Sequence, residues 1–175
     1  EITRDAPEVG QVVHATGLAG LNDLSQALGT PIGSGVKGQA LALNHVARDQ
    51  PQLFVDGLHI VPHADGTTAI GSTSETTWTY DGPDAQLDAL LEKAITAVPA
   101  LARAEVIARW SGIRPKATTR APLLGEYPGR PGHFIANGGF KIGFGMAPKV
   151  AEVMARLILT GEDTIPPGFR VEDSL

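Results

Sequence analysis

Twelve residues, Asn137-Gly138-Gly139-Phe140-Lys141-Ile142-Gly143-Phe144-Gly145-Met146-Ala147-Pro148, separate an apolar strand pattern (His133 to Ala136) from a helix pattern. The helix pattern places Val150, Val153, Met154, Leu157 and Ile158 on one face and ends at Gly161. The junction is therefore a glycine-rich elbow from strand to helix. N–H groups at a helix start carry partial positive charge, and glycines let a ligand approach the backbone unobstructed, so such an elbow can hold an anion. Lys141 adds a full charge where the helix dipole slightly disfavours it, a local conflict that often marks a site. Glycine clusters that only reverse the chain are equally common, so other segments must decide.

The pattern elsewhere is α/β at the ends and antiparallel in the middle. Gln11 to Ala15 reads as a strand, Thr16-Gly17 as a turn, and the helix that follows buries Leu21, Leu24 and Leu28 and ends at Gly29. Short β-type runs follow at Val36 to Leu43, Phe54 to Pro62 and Thr67 to Thr73, the last two joined by an Asp65-Gly66 turn. Asp81 to Pro99 predicts a helix capped by Asp84 or Asp81, with Leu87, Leu90, Leu91, Ala94, Ile95 and Val98 facing the sheet. Glu105 to Ser111 reads as a strand, Arg114 to Pro122 as a loop, and the tail beyond Gly161 as irregular.

Composition narrows the function classes. With 42% hydrophobic residues among 175, the chain can build a core. A net charge of -5 without a Lys/Arg-rich run argues against nucleic acid or an anionic membrane as partner. The absence of cysteine excludes disulfides, thiolate nucleophiles and thiolate metal sites within these residues. No apolar run approaches the ~20 residues a membrane span needs, and Glu1 to Asp5 lack a signal-peptide core, so the expectation is a cytoplasmic protein. No metal site is expected, because Pro62 interrupts the His59 and His63 pair and no third ligand is suitably spaced. Packing is the expected role of Trp78, Tyr80, Trp110 and Tyr127.

Several short motifs occur in one order: Ala15-Thr16-Gly17 at a strand end, Val36-Lys37-Gly38-Gln39, Pro62-x-x-Asp65-Gly66 leading to Ile70-Gly71 and Glu75, Gly112-Ile113-Arg114-Pro115, Pro122-Leu123-Leu124-Gly125, and the final Gly139-Phe140-Lys141 elbow. This series resembles the C-terminal half of the FAD-dependent D-amino-acid oxidase, glycine oxidase and sarcosine oxidase family. The family's dinucleotide fingerprint, which opens its N-terminal half, is expected to lie outside these residues.

The resemblance implies an α+β fold: an antiparallel-sheet substrate domain with a covering helix, flanked by α/β pieces of a Rossmann-like FAD-binding domain whose N-terminal half is absent. The implied division is 1–33 in the FAD-binding domain, 34–112 as substrate domain, and 113–175 returning to the FAD-binding domain. The implied activity is oxidation of the C–N bond of an amino acid or secondary amine by hydride transfer to flavin N5. Arg114 and Lys141 would grip the substrate carboxylate, Arg114 by a planar two-pronged contact. Ala15, Thr16, Gly17, Gly112, Gly138, Gly139, Phe140, Lys141, Ile142 and Gly143 would border the cofactor, with N–H groups of Gly139, Phe140, Ile142 and Gly143 stabilising negative charge on the reduced ring. FAD would be non-covalent and held weakly or not at all without the missing half. Exposed strand edges would favour a homo-oligomer. Two alternatives stay open: a dehydrogenase of the same fold using a quinone or other acceptor, and a non-catalytic anion-binding domain. The chain departs from many family members at Asn137-Gly138-Gly139, where they have Gly-His-Gly, and at Thr119, where aspartate is frequent.

Overall fold

A computed structural model describes residues 10–174, so the first nine residues of the expected 1–33 segment, and Leu175, lie outside the described residues. The chain divides into two compact units: one runs to Gly35 and resumes at Arg114, the other is Val36–Ile113. Strands β2 (Gly33–Asn44) and β6 (Glu105–Ala117) run from one unit into the other. The fold is mixed α+β.

In the first unit, β1 (Val12–His14), β8 (His133–Asn137) and β7 (Leu123–Glu126) form a three-stranded sheet in the order β1-β8-β7. β1 and β8 are parallel, with His14 opposite Ile135, while β7 and β8 are antiparallel. Helix α1 (Gly17–Leu28) buries Leu21 and Leu24 in a cluster with Ile32, Leu123 and Ile135. Burial of each such leucine stabilises by about 1.5–3 kcal/mol. Gly29 ends the helix at φ 67, a left-handed conformation that suits glycine. Helix α3 (Gly143–Thr160) packs Val153, Met154 and Leu157 against Leu124 and Phe134, and Gly161 closes it at φ 73. β7 carries no strand pattern of its own in the sequence, since only four residues form it and its pairing partner lies across a turn.

In the second unit, β3 (Leu53–Val55), β4 (Leu58–Pro62), β5 (Thr68–Gly71), β2 and β6 lie in the order β3-β4-β5-β2-β6. The pairs β3–β4, β4–β5 and β5–β2 are antiparallel. Helix α2 (Gln86–Ala97) buries Leu87 and Ala94 among Leu41, Leu43, Ile60 and Ile70, with Leu90, Leu91, Ile95 and Val98 packed against the same cluster.

Four local expectations are corrected. The run Phe54 to Pro62 is two strands, because Asp56 (φ 47) and Gly57 (φ 78) form a tight hairpin turn. Helix α2 starts at Gln86 rather than Asp81, and of the two aspartates only Asp84 meets its start: Oδ1 accepts from the Gln86 N–H at 3.0 Å while Oδ2 accepts from Lys37 at 3.1 Å, and Asp81 accepts from the Trp78 indole at 2.7 Å. Arg114 to Ala117 continue β6 instead of forming a loop, since pairing with a neighbouring strand outweighs the proline signal. Finally, Gly33-Ser34-Gly35-Val36-Lys37-Gly38 has the Gly-x-Gly-x-x-Gly spacing, yet it lies inside β2 and opens no helix. Gly33 is needed for close approach there, because a Cβ would lie 2.5 Å from the Lys116 carbonyl oxygen.

Candidate functional site

Parallel pairing carries both β1 and β8 out of the sheet at the same edge. At that edge Ala15-Thr16-Gly17 turns into α1, and 138–142 turns into α3. Asn137 ties the two turns: its Nδ2 donates to the Gly17 carbonyl at 2.8 Å, and its Oδ1 accepts from the Gly138 N–H at 2.8 Å.

The elbow is also stitched to the end of β6. Phe140 donates its N–H to the Pro115 carbonyl at 3.0 Å, and Lys116 forms an antiparallel bridge with Gly139. Ile142 donates to the Gly139 carbonyl at 3.0 Å. The N–H groups of Phe140 and Ile142 are thus used inside the elbow, which corrects the expectation that both would face a ligand. By helix geometry the first N–H groups of α3, from Gly143, have no acceptor within the helix.

A cavity of about 430 Å³ opens beside these turns, lined by Ala15, Gly17, Pro115, Gly138, Gly139 and Gly143 together with Val13, Val150 and Met154. Its glycines have different physical reasons. Gly17 and Gly138 have φ of 62 and 70, and a Cβ on Gly138 or Gly139 would lie 2.9 Å from Ala117 Cβ or 2.8 Å from Gly143 Cα. Gly143 has neither reason: its φ is not positive, and an added Cβ would meet no atom within 4 Å. The exposed Gly112 in β6 is in the same position.

Of the two expected cationic residues, Arg114 is half-buried in β6 immediately before Pro115. Lys141 is exposed, its ammonium 5.6 Å from the Phe140 ring centroid. The hydrogen bond from Phe140 to Pro115 thus brings the Arg-Pro and Phe-Lys segments side by side. Ile142 is exposed, and Thr16 borders a second cavity of about 480 Å³ with His14, Tyr127 and Arg130.

Two clusters escaped the sequence reading. Lys37, fully buried, lies 3.1 Å from Asp84 Oδ2 and 3.6 Å from Glu75 Oε2. Gln39 joins them, donating to Glu75 at 3.1 Å and accepting from the Asp84 N–H at 2.8 Å. The signal was a lysine inside an apolar strand run, which must find a counter-charge when buried. In the first unit, His14 Nε2 and His133 Nδ1 are 2.9 Å apart, and Arg130 lies 4.5 Å above the Tyr127 ring. Burial first, then His133 and Arg130, lower the pKa of His14.

The sequence matches the family described as FAD dependent oxidoreductase over residues 2–157. Glycine oxidase of Pseudomonas putida is 30% identical over 160 residues, 90% of this chain and 44% of that protein. Glycine oxidase of Geobacillus kaustophilus is 37% identical over 105 residues, 59% of this chain and 28% of the relative. The crystal structure of glycine oxidase from Geobacillus kaustophilus superposes with a TM-score of 0.79 at 31% identity, covering 92% of this chain and 45% of that one. The crystal structure of iminodiacetate oxidase from Chelativorans, at 22% identity and TM-score 0.79, shares the fold. The chain spans less than half the length of these relatives. The motif order, the paired strand ends and these matches place the chain in the FAD-dependent oxidoreductase (DAO) family.

Proposed function

We propose that the chain forms the C-terminal portion of a FAD-dependent oxidoreductase that oxidises the C–N bond of an amino acid or secondary amine. The observation that carries this reading is Gly143, a glycine at a helix start that neither backbone strain nor protein packing requires. A ligand lying against the helix start gives it a reason, and the small residues Ala15, Gly17, Gly138 and Gly139 line the same cavity. These features fit a flavin nucleotide, and since the sequence has no cysteine none of these residues can hold it by a cysteinyl bond.

When bound, FAD supplies the hydride acceptor. The chain's own part is positioning and electrostatics. The Arg114 guanidinium offers the substrate carboxylate a two-pronged grip, and Lys141 adds a second positive charge. Fixing the carboxylate fixes the neighbouring C–H and C–N bonds, which converts an encounter into an oriented reaction. The N–H groups that open α3 stabilise negative charge beside them without reorganising. An amine that enters neutral needs no base from these residues. The proposed partners are the small-molecule substrate, an N-terminal nucleotide-binding half and, through strand edges, a second copy of the protein.

Anaerobic titration of the full-length enzyme with glycine, sarcosine and D-amino acids tests the reading by visible absorption. Flavin bands that bleach with one of them support it and name the substrate class. A colourless protein that FAD cannot reconstitute overturns it.

A further inference from the structure

The Asn137 side chain uses both ends of its amide between two turns that line the candidate cofactor cavity. Nδ2 donates to the carbonyl of Gly17, where β1 turns into α1, and Oδ1 accepts from Gly138 N–H, where β8 turns into the elbow. Both turns contribute to the cavity lining, through Ala15 and Gly17 and through Gly138 and Gly139. Exchanging the amide's oxygen and nitrogen would set acceptor against carbonyl and donor against N–H, so the two bonds together define one orientation.

The surroundings are shaped for that orientation. Gly20, in the first turn of α1, would with a Cβ lie 1.7 Å from Thr16 Oγ1 and 3.2 Å from Asn137 Nδ2. Gly20 has no positive φ, so the space occupied by Thr16 and the amide explains the glycine. Gly138 is buried at φ 70, and a Cβ there would press on Ala117, so its N–H direction is set by packing as well as by Asn137.

We infer that Asn137 is a positioning residue that sets the separation of the two strand ends and thereby the width of the flavin-nucleotide groove. The inference rests on the function proposed above. Asn137 acts through the backbone: it fixes where Gly17 and Gly138 stand, and those residues meet the ligand.

Asn137→Asp separates this role from simple packing. Aspartate keeps the size of the side chain and the acceptor for Gly138 N–H, but it turns the group facing the Gly17 carbonyl from donor to acceptor, which pushes the strand ends apart. In the full-length enzyme, FAD affinity by flavin fluorescence quenching should fall about tenfold, the size of one lost polar contact. The visible circular dichroism of bound flavin should change as well, a readout that a merely structural role would leave unmoved. Asn137→Ala, which relaxes the tie without repulsion, should weaken FAD binding less than the aspartate. Equal FAD affinity and an unchanged flavin spectrum in both variants overturn the inference while leaving the proposed function standing. Loss of apo-protein stability without a spectral change would reduce Asn137 to a structural residue and overturn it too. A wild-type enzyme that takes up no FAD overturns both.

Discussion

Phe140 donates its backbone N–H to the carbonyl of Pro115 at 3.0 Å, joining residues 25 positions apart in sequence. This bond sets the segment carrying Lys141 beside the one carrying Arg114, although Arg114 is half-buried in a strand and Lys141 is exposed on the elbow. In the full-length enzyme, Arg114→Ala should therefore cost on the order of 2–5 kcal/mol in kcat/KM with carboxylate substrates. Lys141→Ala should have the smaller effect, about 1 kcal/mol, as expected of an exposed charge. Steady-state kinetics with an amino acid and its decarboxylated amine would check both, and unchanged discrimination in both variants would remove the carboxylate grip.

Gly143→Ala should move stability and cofactor affinity in opposite directions. Its Cβ meets nothing in the chain and its backbone is helical, so apo-protein stability should stay level or rise by up to about 1 kcal/mol. FAD binding should weaken, because the methyl group occupies the approach to the helix start. Urea unfolding of the apo-protein, with FAD titration in parallel, gives both numbers. An unchanged Kd would count against close approach at this position.

Lys37 is a clasp between Glu75 and Asp84, which flank the segment bearing Trp78 and Tyr80. Lys37→Met would leave Glu75 without its charge partner in a largely buried setting, at a cost of about 3 kcal/mol measured by urea unfolding. A variant as stable as wild type would show that the clasp is offset by its own desolvation.

The same clasp makes stability acid-sensitive. Gln39, then the Gln86 N–H and Lys37, hold the Asp84 pKa down to about 2, against an ordinary value of 3.8. At Glu75 burial pulls upward, but hydrogen bonds from Thr73, Gln39 and Gln86 and the Lys37 charge outweigh it, so its pKa is lowered too. Both folded-state pKa values lie below the unfolded ones, so the folded protein binds fewer protons. The contribution is complete above the ordinary carboxylate range and is lost as pH falls toward about 2. Asp84→Asn should flatten the decline of unfolding free energy below about pH 4.

A second pH effect lies nearer neutrality. The pKa of His14 is lowered from 6.5, because burial disfavours its charged ring and His133 and Arg130 add like charge. The unfolded chain then binds the proton more tightly, so stability should hold above about pH 6.5 and fall as the solution is acidified through the lowered value. His14→Gln should remove part of that slope. Melting temperatures across pH 5 to 8 would test it, and parallel profiles for the two proteins would exclude His14 as the source.

Local pattern in the sequence determined which segments become helix or strand wherever one residue type dominated the outcome. Leu21, Leu24 and Leu28 ending at Gly29 specify α1, and Val150 to Ile158 ending at Gly161 specify α3, because periodicity and a left-handed glycine act within a few residues. The motif order likewise carried the family. Tertiary structure decided what depends on a partner far along the chain. Arg114 and Pro115 are strand because of a neighbouring strand, the Phe140 N–H is spent on Pro115, and Asp84 serves Lys37 as well as a helix start. The cavity beside Gly143 exists because parallel pairing of β1 with β8 brings two strand ends to one edge, and the Asn137 tie between them joins residues 120 positions apart. Hydrogen bonds and counter-charges at such separation leave no periodic mark on the sequence, and only the folded chain reveals which donor meets which acceptor.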